Sequence, residues 1–245
     1  MHNEMMRRCL RSLVCLGLAV SLSGTIACGS REEIRADRRD DVPAQLAGHP
    51  SAPKRAAVST PRIVILGDSL TAGLGIGVDE AYPALLQARL RDRGLRYDVV
   101  NAGVSGDTSA GGLSRLDWAL DGDVRILVVA LGGNDGLRGL PVAELKRNLA
   151  RIIERSQARG ITVVLAGMEA PTNFGPEYTR AFHAVYPALA KQYRVALVPF
   201  LLEGVVGIDA LNQRDHIHPN VRGAEIVAEN VWAVIGPTLQ GRARP

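Results

Sequence analysis

Hydrophobic and polar positions divide the chain in two near residue 60. From Pro61 onward, five short apolar runs alternate with longer amphipathic stretches. The runs are Arg62–Leu66, Tyr97–Asn101, Ile126–Leu131, Thr162–Ala166 and Ala196–Pro199. They are rich in Val, Ile and Leu and nearly continuous, the pattern of strands covered on both faces. Helical spacing marks Glu80–Arg93, Ser109–Leu120, Val142–Arg159, Glu177–Tyr193 and Arg222–Ile235. In the third of these, Leu145, Leu149, Ile152 and Ile153 share one face, and Lys146, Arg147, Arg151 and Glu154 the other. Gly94 and Gly160 stand where helices stop. Such alternation predicts an α/β fold: a three-layer doubly wound sandwich, with a five-stranded parallel sheet, helices on both faces and right-handed crossovers.

The segment before residue 60 lacks this periodicity. Arg7, Arg8 and Arg11 precede an apolar stretch from Leu13 to Leu22, then small residues up to Cys28. A basic flank, a short apolar core and small residues before a cut predict a secretory leader over 1–27, whose apolar core is too short for a transmembrane helix. Residues 28–60 are charged and Pro/Ala-containing, with Arg31-Glu32-Glu33 and Arg38-Arg39-Asp40-Asp41 alternating in sign. They predict a disordered linker, followed by one folded domain over 61–240 and a tail over 241–245.

Composition narrows the chemistry. The net charge of +4 falls when the leader is removed, because that leader holds three Arg and one Glu. The remaining 26 basic and 24 acidic residues give +2, with aromatics at only 4% of the chain. That leaves no electrostatic footprint for nucleic acid. Cys9, Cys15 and Cys28, the three cysteines, all lie in or at the end of the leader. The exported domain is therefore expected to fold without internal disulfides.

The polar residues with chemical potential fall where the strands end. Ser69 follows the first run, Asn101–Asp107 the second, Gly132-Gly133-Asn134-Asp135 the third. Asp215 and His218 precede the last helix. In an open parallel sheet, sites gather beyond the strands' carboxyl ends. Asp-Ser after a strand is also an ordinary helix cap, so Ser69 alone says little. A serine hydroxyl needs a base to take its proton, and His218 is the candidate. Asp215, three residues earlier, can orient the imidazole from a tight turn or cap the last helix instead. Ser69 N–H, Gly106 N–H and the Asn134 side-chain amide are candidate donors to an acyl-transfer oxyanion. A plain polar turn is the bland reading of Gly-Gly-Asn-Asp.

Taken in order, Gly67-Asp68-Ser69-Leu70, Gly106, Gly133-Asn134-Asp135 and Asp215…His218 resemble the four blocks of the SGNH (GDSL) hydrolases. The likeness covers Pro61 to Leu239 and is closest to the bacterial thioesterase I / lysophospholipase L1 / arylesterase group. It implies a flavodoxin-like sandwich and a serine hydrolase of carboxylic esters or acyl thioesters, lysophospholipids included. It implies Ser69 as nucleophile, His218 as base and acid, Asp215 as orienter, and an oxyanion hole from Ser69, Gly106 and Asn134. It also implies an acyl groove bordered by Leu137, Leu140, Pro171 and Phe174, with the Leu137–Pro141 loop able to shift on binding. No cofactor or metal is expected, and the expected state is a monomer. A carbohydrate O-acetylesterase and a non-catalytic envelope lipoprotein are the alternatives.

Thr25-Ile26-Ala27-Cys28 resembles a bacterial lipobox, although Thr25 stands where Leu is preferred. It implies a lipid anchor on Cys28 and a cell-envelope location; an ordinary leader cut near Ala27 is the alternative. Other motifs carry less. Ser69 is not in Gly-x-Ser-x-Gly. Gly73-x-Gly75-x-Gly77 lacks the dinucleotide spacing and reads as a rim loop. Asp215, His216 and His218 have no second histidine cluster to complete a metal site. Asp68 and Asp135 are expected to shape loops by local hydrogen bonds.

Overall fold

A computed structural model describes residues 59–242, with side chains to Leu239. The expected leader over 1–27, Cys28 and the linker up to residue 58 lie outside the described residues, as does the end of the tail. The central sheet has five parallel strands: β1 (Arg62–Gly67), β2 (Asp98–Gly103), β3 (Val124–Ala130), β4 (Thr162–Ala166) and β5 (Ala196–Val198), in the order β2-β1-β3-β4-β5. Between them run α1 (Ser69–Ala72), α2 (Tyr82–Asp92), α3 (Ser109–Ser114), α4 (Leu116–Ala119), α5 (Gly133–Leu137), α6 (Val142–Ala158) and α7 (Pro176–Tyr193). The last helix, α8 (Val221–Arg242), follows β5. α2 packs on α8, while α6 packs on α3 and α7, giving two helical layers around the sheet. The chain reverses direction across the sheet between β1 and β3. This switch point leaves a crevice at the strands' carboxyl ends.

The core follows the predicted pattern. Ile63 to Leu66 and Ile126 to Val129 are at most 1% exposed, and Leu145, Leu149, Ile152 and Ile153 of α6 are equally buried. Three details depart from the pattern. β2 is an edge strand, so its Asp98 and Asn101 are exposed and Val99 and Val100 only half-buried. The stretch expected as one helix over Ser109–Leu120 is two short helices with a break at Arg115. α8 runs past Ile235 through Gly236-Pro237, because a proline removes one backbone donor while buried Leu239 still anchors the following turn.

Candidate active site

β1 ends at Gly67, and Asp68 caps α1 by accepting from Leu70 N–H at 3.0 Å. This cap fixes Ser69 as the first residue of α1, at the sheet's carboxyl edge. Its Oγ lies 2.9 Å from Nε2 of His218. On the other side of the ring, Nδ1 of His218 lies 2.6 Å from Oδ2 of Asp215. The second Asp215 oxygen accepts from the backbone N–H groups of Ile217 and His218, both at 3.0 Å. These two backbone donors, with the His218 side chain, hold the Asp215 carboxyl well below the usual carboxylate range. Asp215 and His218 share a tight turn, not a helix. His216 between them has φ +58 and donates its N–H to Gln213 O at 3.0 Å.

Two loops face the serine. After β2, Val104 N–H donates to Gly67 O at 3.1 Å, and Asp107 N–H closes a turn onto Val104 O at 3.0 Å. Gly106 takes φ +83 inside that turn, a conformation that favours glycine. After β3, Gly132 has φ +116, and a Cβ there would stand 2.1 Å from the Tyr186 hydroxyl. Asn134 follows on α5. Its Nδ2 donates to Asp107 O at 2.9 Å and to Asp68 Oδ2 at 3.3 Å, so the amide nitrogen is held between the loop after β2 and the residue that precedes Ser69. Among the described residues, neither Ser69 N–H nor Gly106 N–H donates to another protein group. Asp135 is buried and accepts from Ser109 N–H at 2.8 Å and Ser109 Oγ–H at 2.6 Å, tying α5 to α3.

These residues open on one cavity of about 480 Å³, a size suited to a small-molecule ligand. Ser69, Gly106, Asn134 and His218 line it together with Leu137 and Pro171. Leu140 and Phe174 do not. Phe174 instead packs on Tyr178, with ring centroids 5.4 Å apart and planes tilted by 54°, and covers Gly139, and the Leu140 carbonyl accepts from the Tyr178 hydroxyl at 2.8 Å. Beside Leu137 and Pro171, the apolar wall includes residues that the sequence did not single out for it: Leu70, Leu74, Met168, Phe200, Leu202, Val206 and Ile217. A signal for part of this wall exists in the sequence. The apolar cluster from Phe200 to Val206 directly follows a strand's carboxyl end, where sites gather.

Burial also changes Asp68. The residue is 2% exposed, and desolvation pushes its carboxyl up to about 6 against the opposing pull of Leu70 N–H, His218 and Asn134. Among the described residues, no cluster of three or more His, Cys, Asp or Glu has the arrangement of a metal site.

The GDSL-like lipase/acylhydrolase family model matches residues 65–226, a span containing Ser69, Asp215 and His218. Esterase TesA of Pseudomonas aeruginosa is 46% identical over 187 residues, covering 76% of this chain and 92% of its own length. Thioesterase 1/protease 1/lysophospholipase L1 of Escherichia coli K12 is 39% identical over 174 residues, covering 71% and 82%. Among solved structures, the psychrotrophic esterase EstA from Pseudoalteromonas sp., inhibited by monoethylphosphonate, superposes with a TM-score of 0.70 at 32% identity, covering 73% of this chain and 98% of its own. With this family model spanning most of the folded domain and these relatives matching across it, the chain belongs to the GDSL-like lipase/acylhydrolase (SGNH) family.

Proposed function

We propose that the chain is a serine esterase and thioesterase that hydrolyses carboxylic esters, aryl esters and lysophospholipids among them, through an acyl-Ser69 intermediate. The observation that carries this reading is the unbroken relay from Asp215 through His218 to Ser69 Oγ, at 2.6 and 2.9 Å, opening on an apolar cavity. Ser69 Oγ attacks the carbonyl carbon while His218 Nε2 takes its proton. Asp215 keeps the imidazole oriented and stabilises its cationic form. Ser69 N–H, Gly106 N–H and Asn134 Nδ2 stabilise the oxyanion. Collapse of the tetrahedral intermediate breaks the bond to the leaving alcohol or thiol, which departs with the proton from His218. Water then gives its proton to His218 as it attacks the acyl carbon, and collapse breaks the bond to Ser69 Oγ, which takes that proton back from His218 as the acid leaves.

The buried cavity residues Met168 and Leu202, 6% and 7% exposed, support an acyl chain longer than acetyl. Leu137 and Pro171 belong to the same acyl wall, and the names of the esterase and thioesterase relatives support the substrate class. The decisive experiment is hydrolysis of para-nitrophenyl esters from acetate to palmitate by the full-length chain beside Ser69→Ala. Turnover that vanishes in a folded Ser69→Ala protein supports the reading. Equal rates in both proteins overturn it.

The leader pattern and the Cys28 motif support export and a lipid anchor in the cell envelope. Among the described residues no helix is long and apolar enough to cross a membrane. Labelling with palmitate in the wild type, and its loss in Cys28→Ala, tests the anchor; an unlabelled wild type rules it out.

A further inference from the structure

The break between α3 and α4 occurs at Arg115, and the side chain at the break reaches the carboxyl edge of the sheet. Its guanidinium makes three hydrogen bonds to three different segments. Nη2 donates to Gly67 O at 2.8 Å, Nη1 to Ala102 O at 2.8 Å, and Nε to Asp107 Oδ2 at 2.6 Å. Gly67 lies two residues before Ser69. Ala102 belongs to β2, which leads into the Gly106 turn. Asp107 adjoins Gly106, and its own carbonyl accepts from Asn134 Nδ2. Gly67 O also accepts from Val104 N–H at 3.1 Å, so the same oxygen joins the clamp to the start of that turn.

The clamp is sheltered. The Arg115 and Asp107 side chains are only 17% and 18% exposed. A Cβ on Gly111 would stand 2.5 Å from Asp107 Oδ1, so α3 closes over the carboxylate. Charge-assisted bonds to a planar guanidinium have fixed directions, and an ammonium does not reproduce three of them at once. Arg115 does not line the cavity, so it acts through the groups it holds.

We propose that Arg115 is a positioning residue for acyl transfer, whose guanidinium sets the placement of the Ser69 nucleophile relative to the oxyanion donors Gly106 and Asn134. This rests on the roles given to those three residues above. Oxyanion donors accelerate the reaction only when aimed where charge develops, so small displacements lower kcat more than they weaken ground-state binding. A purely structural Arg115 lowers thermal stability and leaves kcat of the folded protein intact.

The test compares kcat and KM of the full-length wild type, Ser69→Ala, Arg115→Lys, Arg115→Ala and Asp107→Asn on one short-chain para-nitrophenyl ester, for folded protein only. We expect kcat to fall about a hundredfold in either Arg115 variant, with KM within about threefold of wild type. A folded Arg115 variant with wild-type kcat overturns the proposal. If neither folds, Asp107→Asn decides: a kcat loss of about tenfold or more at unchanged KM supports it, and wild-type kcat overturns it. A wild type inactive on every ester would instead sink the Ser69 reading, and this proposal with it.

Discussion

Asp68, the cap of α1, and Asn134, in α5 after β3, meet across the switch point of the sheet, with Oδ2 and Nδ2 3.3 Å apart. The contact brings a buried carboxyl beside the side chain proposed as an oxyanion donor. Asp68 has its folded value raised to about 6 from 3.8, so the folded state binds the proton more tightly than the unfolded chain. Its contribution to stability is therefore full below pH 3.8 and is lost as pH rises through about 6. Relative to wild type, Asp68→Asn should gain about 1–3 kcal/mol of stability between acid and neutral pH. Urea denaturation of both proteins across that range checks this; a pH-independent difference refutes it.

Asn134→Ala removes one proposed oxyanion donor and leaves Ser69 and His218 in contact. It should lower kcat by about a hundredfold or more with little change in KM. Steady-state kinetics on a short-chain ester decides the matter, and a kcat near wild type removes Asn134 from the hole.

Asp215→Asn keeps the size of the side chain but not its charge or the tautomer it enforces on His218. A kcat loss of about 10³–10⁴ is expected, with the fold intact. The Asp215 carboxyl is held below its ordinary value, so its contribution to stability is present above that value and lost only as pH falls through the lowered one. The stability gap between wild type and Asp215→Asn should stay level through neutral pH and narrow only in strong acid.

Leu202 lines the cavity and Phe174 does not. Leu202→Phe should shorten the longest acyl chain hydrolysed while acetate turnover persists. Phe174→Ala should leave the chain-length profile unchanged. A profile that shifts with Phe174 and not with Leu202 would relocate the acyl site.

Gly132 has φ +116, and a methyl group there meets the Tyr186 hydroxyl, which donates to Leu131 O at 3.1 Å. Gly132→Ala combines backbone strain with loss of a buried hydrogen bond and should cost about 2–4 kcal/mol. Thermal denaturation measures it.

The sequence by itself determined the alternation of buried strands and amphipathic helices, because period and apolar content follow from which faces must leave water. It also determined which residue types stand at the strand ends, since Ser69, Gly106, Asn134, Asp215 and His218 each lie just past an apolar run or before a helix. The tertiary structure decided what periodicity does not encode. Leu140 and Phe174 do not line the cavity: the Leu140 carbonyl is hydrogen-bonded to the Tyr178 hydroxyl and Phe174 packs on the Tyr178 ring, while Phe200, Leu202 and Val206 from a segment after β5 form part of its wall. Helical spacing predicted an unbroken helix through Arg115, but acceptors at Gly67, Ala102 and Asp107 hold that side chain at the sheet edge. The left-handed turn at His216, which brings Asp215 and His218 onto one another, leaves no compositional trace. Local sequence sets which groups are available. Their distances depend on contacts between residues as far apart as Ser69 and His218, and those exist only after the chain has packed.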